Sequence, residues 1–206
     1  RASQNGSGVL STLVGSDGSG GAVLIVPAGG SALPASQETV AAGQHYLRMN
    51  GREVFRFAVR TLPRATRQAA EMADISVGDL DLIIPHQANH RIIDSAARRL
   101  RIPVERFYLN LDAYGNTSAA SIPIALCEAI AEDRLKPGDH LAMVGFGAGL
   151  TWAAAVLQWS VPTPEEGAPR LHIWLRWLLY RWAAVRTWVE RTWRNTIVRL
   201  IRGAER

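Results

Sequence analysis

Apolar and polar residues follow one another along this chain in two patterns, one typical of strands and the other of helices. Short apolar runs next to glycine, proline or asparagine indicate extended segments at 8–14, 21–26, 79–85, 106–115 and twice within 140–159. Longer segments with apolar residues three or four positions apart indicate helices at 51–73, 89–100 and 116–133. This order of elements predicts an α/β fold, a mixed sheet with helices packed on it.

The helical segments carry specific expectations. Pro63 lies inside the first one and is expected to kink or restart that helix. The second has a single apolar face, formed by Ile92, Ile93, Ala96, Ala97 and Leu100. The third opens with Asn-Thr-Ser at 116–118, a sequence typical of a helix cap.

Composition divides the chain into a main domain at 1–160, a linker at 161–169 and a helical extension at 170–206. The linker contains three prolines, one glycine and two glutamates. The main domain holds 14 Lys+Arg and 14 Asp+Glu. Residues 161–206 hold 9 arginines and 4 glutamates, and so supply the whole net charge of +5. The basic character therefore describes the extension and says nothing about the partners of the main domain.

The extension also contains five of the seven tryptophans. Its arginines recur every three to six residues, which excludes a helix that spans a bilayer. Three functions stay open for residues 170–206. They are peripheral contact with an anionic membrane, packing on this protein or a partner, and binding to nucleic acid phosphates.

Cys127 is the only cysteine, so no disulfide can form within the chain and a reducing, cytoplasmic compartment is expected. Because Cys127 falls inside an apolar helical segment, we expect a buried structural thiol. No basic-then-apolar leader follows Arg1. A chain without an initiating methionine is also compatible with a piece of a longer protein.

Polar clusters follow three of the strand-like segments, at 86–89, 115–118 and 147–149. In an open α/β sheet, ligands gather at the carboxyl ends of strands, so the three clusters are expected to converge. A histidine and an asparagine there would supply two neutral donors for an oxygen that becomes negative during a reaction. Taken singly, each cluster also has a structural interpretation: a core or capping histidine for His86, a helix cap for Asn116, and a tight turn for 147–149.

Three motifs favour the catalytic interpretation of these clusters over the structural one. They are IIPHQANHRII at 83–93, YGNTSAASIPIAL at 114–126 and GFGAGLTWAAAVLQW at 145–159. Together they resemble the C-terminal half of β-ketoacyl-acyl carrier protein synthase III, a condensing enzyme with the thiolase fold, over about 8–159. The resemblance implies decarboxylative Claisen condensation of an acyl primer with malonyl-acyl carrier protein, in fatty acid or polyketide synthesis. It implies acyl-coenzyme A and a phosphopantetheine-linked malonyl group as substrates, and neither a permanently bound cofactor nor a metal. It also implies acyl carrier protein as a partner and a homodimer in the complete enzyme.

The same resemblance assigns roles to individual residues. His86 and Asn116 match the pair that stabilises the malonyl-derived enolate, and Ala148 matches the residue whose N–H helps to form the oxyanion hole. The family usually has glycine at that last position, but alanine keeps the N–H. The carrier and pantetheine positions are Gly51, Phe55, Gln87, Ala88, Asn89, His90 and Arg91, and the Arg91 guanidinium would meet the acidic surface of the carrier.

The family mechanism also needs a cysteine nucleophile, which belongs to the N-terminal half. No part of this chain resembles that half, and Cys127 is not placed like an activated thiol. We therefore expect the chain to need an N-terminal thiolase half, from the same or a separate chain, and to be inactive alone. A module that binds acyl carrier protein without catalysis is the alternative.

Overall fold

The computed structural model describes residues 7–160 together with Trp182 and Arg186. The chain divides into two units, Arg1–Thr163 and Pro164–Arg206, and the fold below is that of the first. The predicted linker and nearly all of the predicted helical extension lie outside the described residues, although Trp182 and Arg186 are themselves helical. Within the described part of the chain, no helix is both long and apolar enough to cross a membrane.

A four-stranded mixed sheet forms the centre of this unit. Its strands are β1 (Gly8–Ser16), β4 (Leu82–Pro85), β5 (His140–Gly147) and β6 (Thr151–Gln158), in the spatial order β1-β6-β5-β4. The β4 and β5 strands are parallel, whereas β5–β6 and β6–β1 are antiparallel. The predicted mixed sheet and the two strands joined by the glycine-rich turn are confirmed.

Within residues 7–160, five α-helices accompany the sheet: α1 (Gln37–Ala41), α2 (Gly51–Met72), α3 (His90–Leu100), α4 (Leu111–Tyr114) and α5 (Ser121–Ala131). The predicted apolar face of α3 is buried at all five of its positions. The α2 helix runs without a break through Pro63, so the expected restart is wrong. Pro63 is itself buried on this helix, and the packing of its neighbours outweighs the one hydrogen bond that the proline cannot donate.

Two extended predictions also need correction. Half of 21–26 lies in a 3-10 helix, Gly18–Val23, because the Asp17 carboxylate accepts a hydrogen bond from the Ser19 N–H and starts a turn. Only β2 (Leu24–Ile25) is a strand, and it pairs with β3 (Arg48–Met49).

In the segment 106–115, Phe107 bridges to Ile83, but the chain then turns into α4. The Glu128 carboxylate of α5 accepts hydrogen bonds from the Asn110 amide (2.7 Å) and the Tyr114 hydroxyl, which holds this turn against α5. The extended prediction for 106–115 is therefore correct only near Phe107.

The two faces of the sheet are covered differently. Because side chains alternate along a strand, Ile83 faces α2 and α3, while Leu82 and Ile84 face α5. The α2/α3 face has a continuous core that includes Ala58, Leu62, Ile93, Ala96 and Val156. The α5 face has a smaller core around Ala125, Ala129 and Leu141.

Candidate active site

His86 is the first residue after β4 and lies at the carboxyl end of that strand. Its backbone N–H donates to the Val144 carbonyl of β5 (2.8 Å), which continues the strand pairing by one residue. The imidazole is half-buried and stands edge-on to the Phe146 ring, with 5.4 Å between the ring centroids. Burial lowers the pKa of His86 below its ordinary value, since an apolar setting disfavours the charged ring.

Ser121 holds this imidazole from the other side. Its Oγ lies 2.6 Å from His86 Nδ1, and the serine is only 2% exposed. Ser121 is the first residue of α5 and follows Asn116 by five positions, so the motif that carries Asn116 is tied to His86 through this serine. Sequence analysis missed Ser121, although a serine on the buried side of an otherwise apolar helix was a usable signal.

Asn116 lies in the short loop between α4 and α5 and is exposed. Its Oδ1 accepts a hydrogen bond from the Ser118 N–H at 2.9 Å. This bond orients the amide and opens the 3-10 turn Ser118–Ala120 that leads into α5. The cap-like role of Asn116 and a role for its NH2 group as a donor are compatible, because the two use different atoms.

Ala148 lies in the turn that joins β5 to β6, also at the carboxyl end of β5. The turn is held by the Thr151 hydroxyl, which donates to the Ala148 carbonyl at 2.9 Å. Across residues 7–160, the Ala148 N–H has no hydrogen-bond acceptor. His86 and Ala148 therefore follow two neighbouring parallel strands at the same edge of the sheet.

Gln87 has a different position from the one expected for a carrier contact. Its side chain is buried, 1% exposed, and Nε2 donates to the carbonyls of Pro85 (2.9 Å) and Tyr108 (3.0 Å). Its Oε1 accepts from the Asn110 N–H at 3.2 Å. All its polar atoms are bonded to the backbone, so in this structure the side chain cannot reach a carrier. Gln87 instead clamps the end of β4 to the segment that leads to Asn116.

The other carrier and pantetheine positions cluster near the start of α2 and α3. Asn89 is the N-cap of α3, and its side chain accepts a hydrogen bond from the Arg91 N–H at 2.9 Å. The Arg91 guanidinium lies over the Phe55 ring, 5.4 Å from its centroid.

The remaining positions make other contacts. His90 pairs with Asp112 (2.9 Å), and Ala88 packs on the core. Gly51 is exposed at the first position of α2. Of the expected carrier and pantetheine positions, Arg91 and Phe55 are in contact with each other.

The chain is similar to known proteins of one family. Residues 70–159 match the family model described as 3-oxoacyl-[acyl-carrier-protein] synthase III C terminal. The β-ketoacyl-[acyl-carrier-protein] synthase III of Symbiobacterium thermophilum is 57% identical over 155 residues, which are 75% of this chain and 47% of that protein. Residues 70–159 are a synthase III C-terminal domain.

Solved structures of the family agree with the fold. The synthase III of Thermus thermophilus is 47% identical with a TM-score of 0.67, over 77% of this chain and 48% of that one. The priming β-ketosynthase of the R1128 polyketide pathway is 38% identical with a TM-score of 0.64, over 76% and 46% of the two chains. The chain spans about half the length of the curated relatives it matches.

The position of Cys127 contradicts the expectation of a buried structural thiol. The thiol is exposed, not buried. The buried residues of α5 are Ser121, Ala125 and Ala129, spaced four apart. Since Cys127 lies two positions from both alanines, a rotation of about 200° places it on the outer side of the helix. Its environment is still not that of an activated nucleophile, because it lies in the middle of a helix.

The α5 face of the sheet is only partly covered. Gly145, Ala153 and Val14 lie side by side across β5, β6 and β1 on this face. A side chain at Gly145 would contact Ile122 of α5, whereas Ala153 is exposed and Val14 is 81% exposed. We call the uncovered region around Ala153 and Val14 the open part of the α5 face. No group of three or more metal-ligating side chains occurs among the described residues.

Proposed function

We propose that this chain is the C-terminal part of a condensing enzyme that joins an acyl primer to malonyl-acyl carrier protein with loss of carbon dioxide. The observation that carries the proposal is the His86 imidazole, half-buried at a strand end and hydrogen-bonded to the helix that follows Asn116. The match of residues 70–159 to the synthase III family supports the reaction class. The similarity to the R1128 priming ketosynthase means that the pathway could be polyketide synthesis as well as fatty acid synthesis.

The reaction explains why two neutral donors are needed. When the malonyl thioester loses carbon dioxide, the electron pair of the broken C–C bond passes into an enolate whose oxygen becomes negative. The His86 ring and the Asn116 amide would donate hydrogen bonds to that oxygen. Burial lowers the pKa of His86 and so favours the neutral ring, which has a single N–H to donate.

The second half of the reaction forms the new bond. The enolate carbon attacks the carbonyl carbon of the acyl group, which is held as a thioester, and the thiolate leaves. The negative oxygen formed during this attack would accept a hydrogen bond from the Ala148 N–H in the β5–β6 turn, which has no acceptor among residues 7–160. Acyl-coenzyme A supplies the acyl group, and no permanently bound cofactor enters the scheme.

The entrance residues fit delivery of the malonyl group on a carrier. The Arg91 guanidinium is exposed, and its stacking on Phe55 orients it toward an acidic partner without neutralising it. Gly51 and Asn89 line the adjoining helix starts, where small or polar groups leave room for a pantetheine arm. The complete enzyme would be a homodimer, as the family resemblance implies.

We infer that an N-terminal thiolase half, in the same or another polypeptide, supplies the cysteine nucleophile and covers the open part of the α5 face. The small residue Ala153 would permit close approach by a helix of that half. The isolated chain would therefore be inactive.

A carrier-binding module without catalysis is the second candidate. Its supporting observation is that Cys127, the only cysteine, lies mid-helix on the far side of α5 from the buried core. Such a module would bind the carrier through the exposed Arg91 guanidinium over Phe55, but no cysteine nucleophile would ever join the site around His86.

The two candidates differ in a reconstitution assay. The full chain is mixed with the N-terminal half of the Symbiobacterium thermophilum relative, which has been acylated beforehand, and with malonyl-acyl carrier protein. The catalytic proposal predicts release of carbon dioxide and a β-ketoacyl product only when both halves are present. Halves that bind each other but give no product would favour the carrier-binding module.

Substitution of the donor pair sharpens this assay. We expect His86→Ala and Asn116→Ala each to lower the condensation rate by about 10²–10³, since each removes one donor to the enolate oxygen. Acylation of the two assembled halves by acyl-coenzyme A, measured in a separate assay, should change much less, because it uses the other oxyanion site. An equal loss in both half-reactions would contradict the assigned role.

A further inference from the structure

We infer that Ser121 donates its hydroxyl hydrogen to Nδ1 of His86 and so fixes the proton of the neutral imidazole on Nε2. Ser121 is thus a positioning residue, which acts through His86. The inference deepens the proposed function and rests on it only for its catalytic consequence.

The direction of this hydrogen bond follows from the partners of each atom. Ser121 Oγ and His86 Nδ1 lie 2.6 Å apart, close enough for a strong bond in either direction. Among residues 7–160, the Ser121 hydroxyl has no other hydrogen-bond partner, and the side chain is 2% exposed. If Nδ1 carried the proton and donated it to Oγ, the serine hydrogen would be buried without an acceptor.

An orphaned buried hydroxyl hydrogen is costly, about 1–3 kcal/mol. When the serine donates, both atoms are satisfied: the hydroxyl hydrogen has an acceptor and the Nδ1 lone pair has a donor. The neutral ring must then carry its hydrogen on Nε2. Burial of the imidazole acts in the same direction, because it keeps the ring neutral.

Two further contacts keep the ring in this orientation. The Phe146 ring meets the imidazole edge-on at 5.4 Å, and the His86 backbone is anchored to Val144 of β5. Because Nδ1 accepts the hydrogen bond from Ser121 and Phe146 holds the ring in place, the Nε2 hydrogen is the one that can bind a ligand. No partner for Nε2 occurs in the part of the chain that the structure describes.

The consequence for the proposed reaction is specific. An oxyanion needs a donor, and only the tautomer with hydrogen on Nε2 can provide one when Nδ1 faces the protein. Ser121 would therefore convert a histidine that could present either a donor or an acceptor into one that presents a donor alone.

The test is nuclear magnetic resonance of the full chain with ¹⁵N-labelled imidazoles at neutral pH. The five histidines are separated by comparison with His86→Gln. The wild-type His86 ring is expected to show a protonated Nε2 and an Nδ1 lone pair that accepts a hydrogen bond. A ring protonated on Nδ1 in the wild-type chain would overturn the inference before any substitution of Ser121 is made.

Variants then isolate the serine. In Ser121→Ala, the Nδ1 resonance should move toward the position of an unbonded nitrogen, and Ser121→Thr should restore it. Ser11→Ala is the matched control, because Ser11 is also buried and its hydroxyl donates a 2.6 Å bond, but to the Ala69 carbonyl. An Nδ1 resonance unchanged in Ser121→Ala would overturn the inference.

Activity separates this inference from the proposed function. In the reconstituted enzyme, Ser121→Ala should lower kcat for malonyl decarboxylation about tenfold with little change in KM, the value of one hydrogen bond. If the wild-type mixture shows no condensation, the proposed function fails, while the tautomer assignment is still decided by the spectrum alone.

Discussion

The two faces of the central sheet differ in how completely they are closed. On the α2/α3 face, helices from two parts of the chain bury a core with Leu62 and Ile93 at 1% exposure or less. On the other face, α5 covers the β4–β5 side, while Ala153 and Val14 remain exposed. The α2/α3 face therefore holds the larger buried core, and the open part of the α5 face is the surface that we propose an N-terminal thiolase half covers.

Two isoleucines on helices provide the sharpest mutational contrast between these faces. Ile93 of α3 is fully buried, and its replacement by alanine should lower the free energy of unfolding by about 2–5 kcal/mol because it leaves a cavity. Ile124 is half-buried and lies outside both buried clusters, so Ile124→Ala should cost about 1 kcal/mol or less. Urea unfolding of the full chain measures both. Equal losses would show that the α5 face is closed as well.

A smaller effect concerns the pH dependence of stability at the edge of the α2/α3 face. The folded-state pKa of His86 lies below its unfolded value of 6.5, because burial disfavours the charged ring. The unfolded state therefore binds more protons between these two values. The stability contributed by the neutral ring is present above pH 6.5 and is lost as the pH falls through the folded-state pKa.

His86→Gln should remove this part of the pH dependence. We expect a shallower fall in the free energy of unfolding below pH 6.5 for the variant than for the wild type. Unfolding by urea over a series of pH values measures the two slopes. Identical slopes would mean that the imidazole is not buried in solution.

The smallest effect is expected on the outer side of α5. Cys127→Ala should change the free energy of unfolding by about 0.5 kcal/mol or less, since the thiol is exposed. Because the chain has a single cysteine, a thiol reagent reports on it without ambiguity. The folded full chain should react completely without denaturant, and a thiol that reacts only after unfolding would contradict the exposed position.

Sequence patterns predicted the closed face better than the open one, for a physical reason. The apolar face of α3 is buried at Ile92 and the four other expected positions, because amphipathic spacing records contact with a core that this chain itself supplies. The α5 helix is apolar on most sides, so its pattern could not show which side meets the sheet. The expectation of a buried Cys127 failed for that reason.

The candidate site was predictable to a similar extent. The position of His86 at a strand end follows from the apolar run before it and the helix after it. The inward direction of the Gln87 amide could not be predicted in this way. Its partners are the backbone carbonyls of Pro85 and Tyr108, and every residue type has a backbone carbonyl, so the sequence does not indicate such a partner. The Ser121–His86 contact joins residues 35 positions apart and needs the fold to reveal it.

Binding between this chain and an N-terminal half tests the central claim most directly. Ala153→Arg places a bulky charge on the open part of the α5 face, and Gln68→Arg places the same charge on the exposed side of α2. Circular dichroism first establishes that both variants fold, and calorimetry then measures their binding to the N-terminal half of the Symbiobacterium thermophilum relative. We expect binding by the wild type and Gln68→Arg, and binding at least about tenfold weaker by Ala153→Arg, because a buried unpaired charge is costly. Binding of Ala153→Arg at wild-type strength would contradict this expectation.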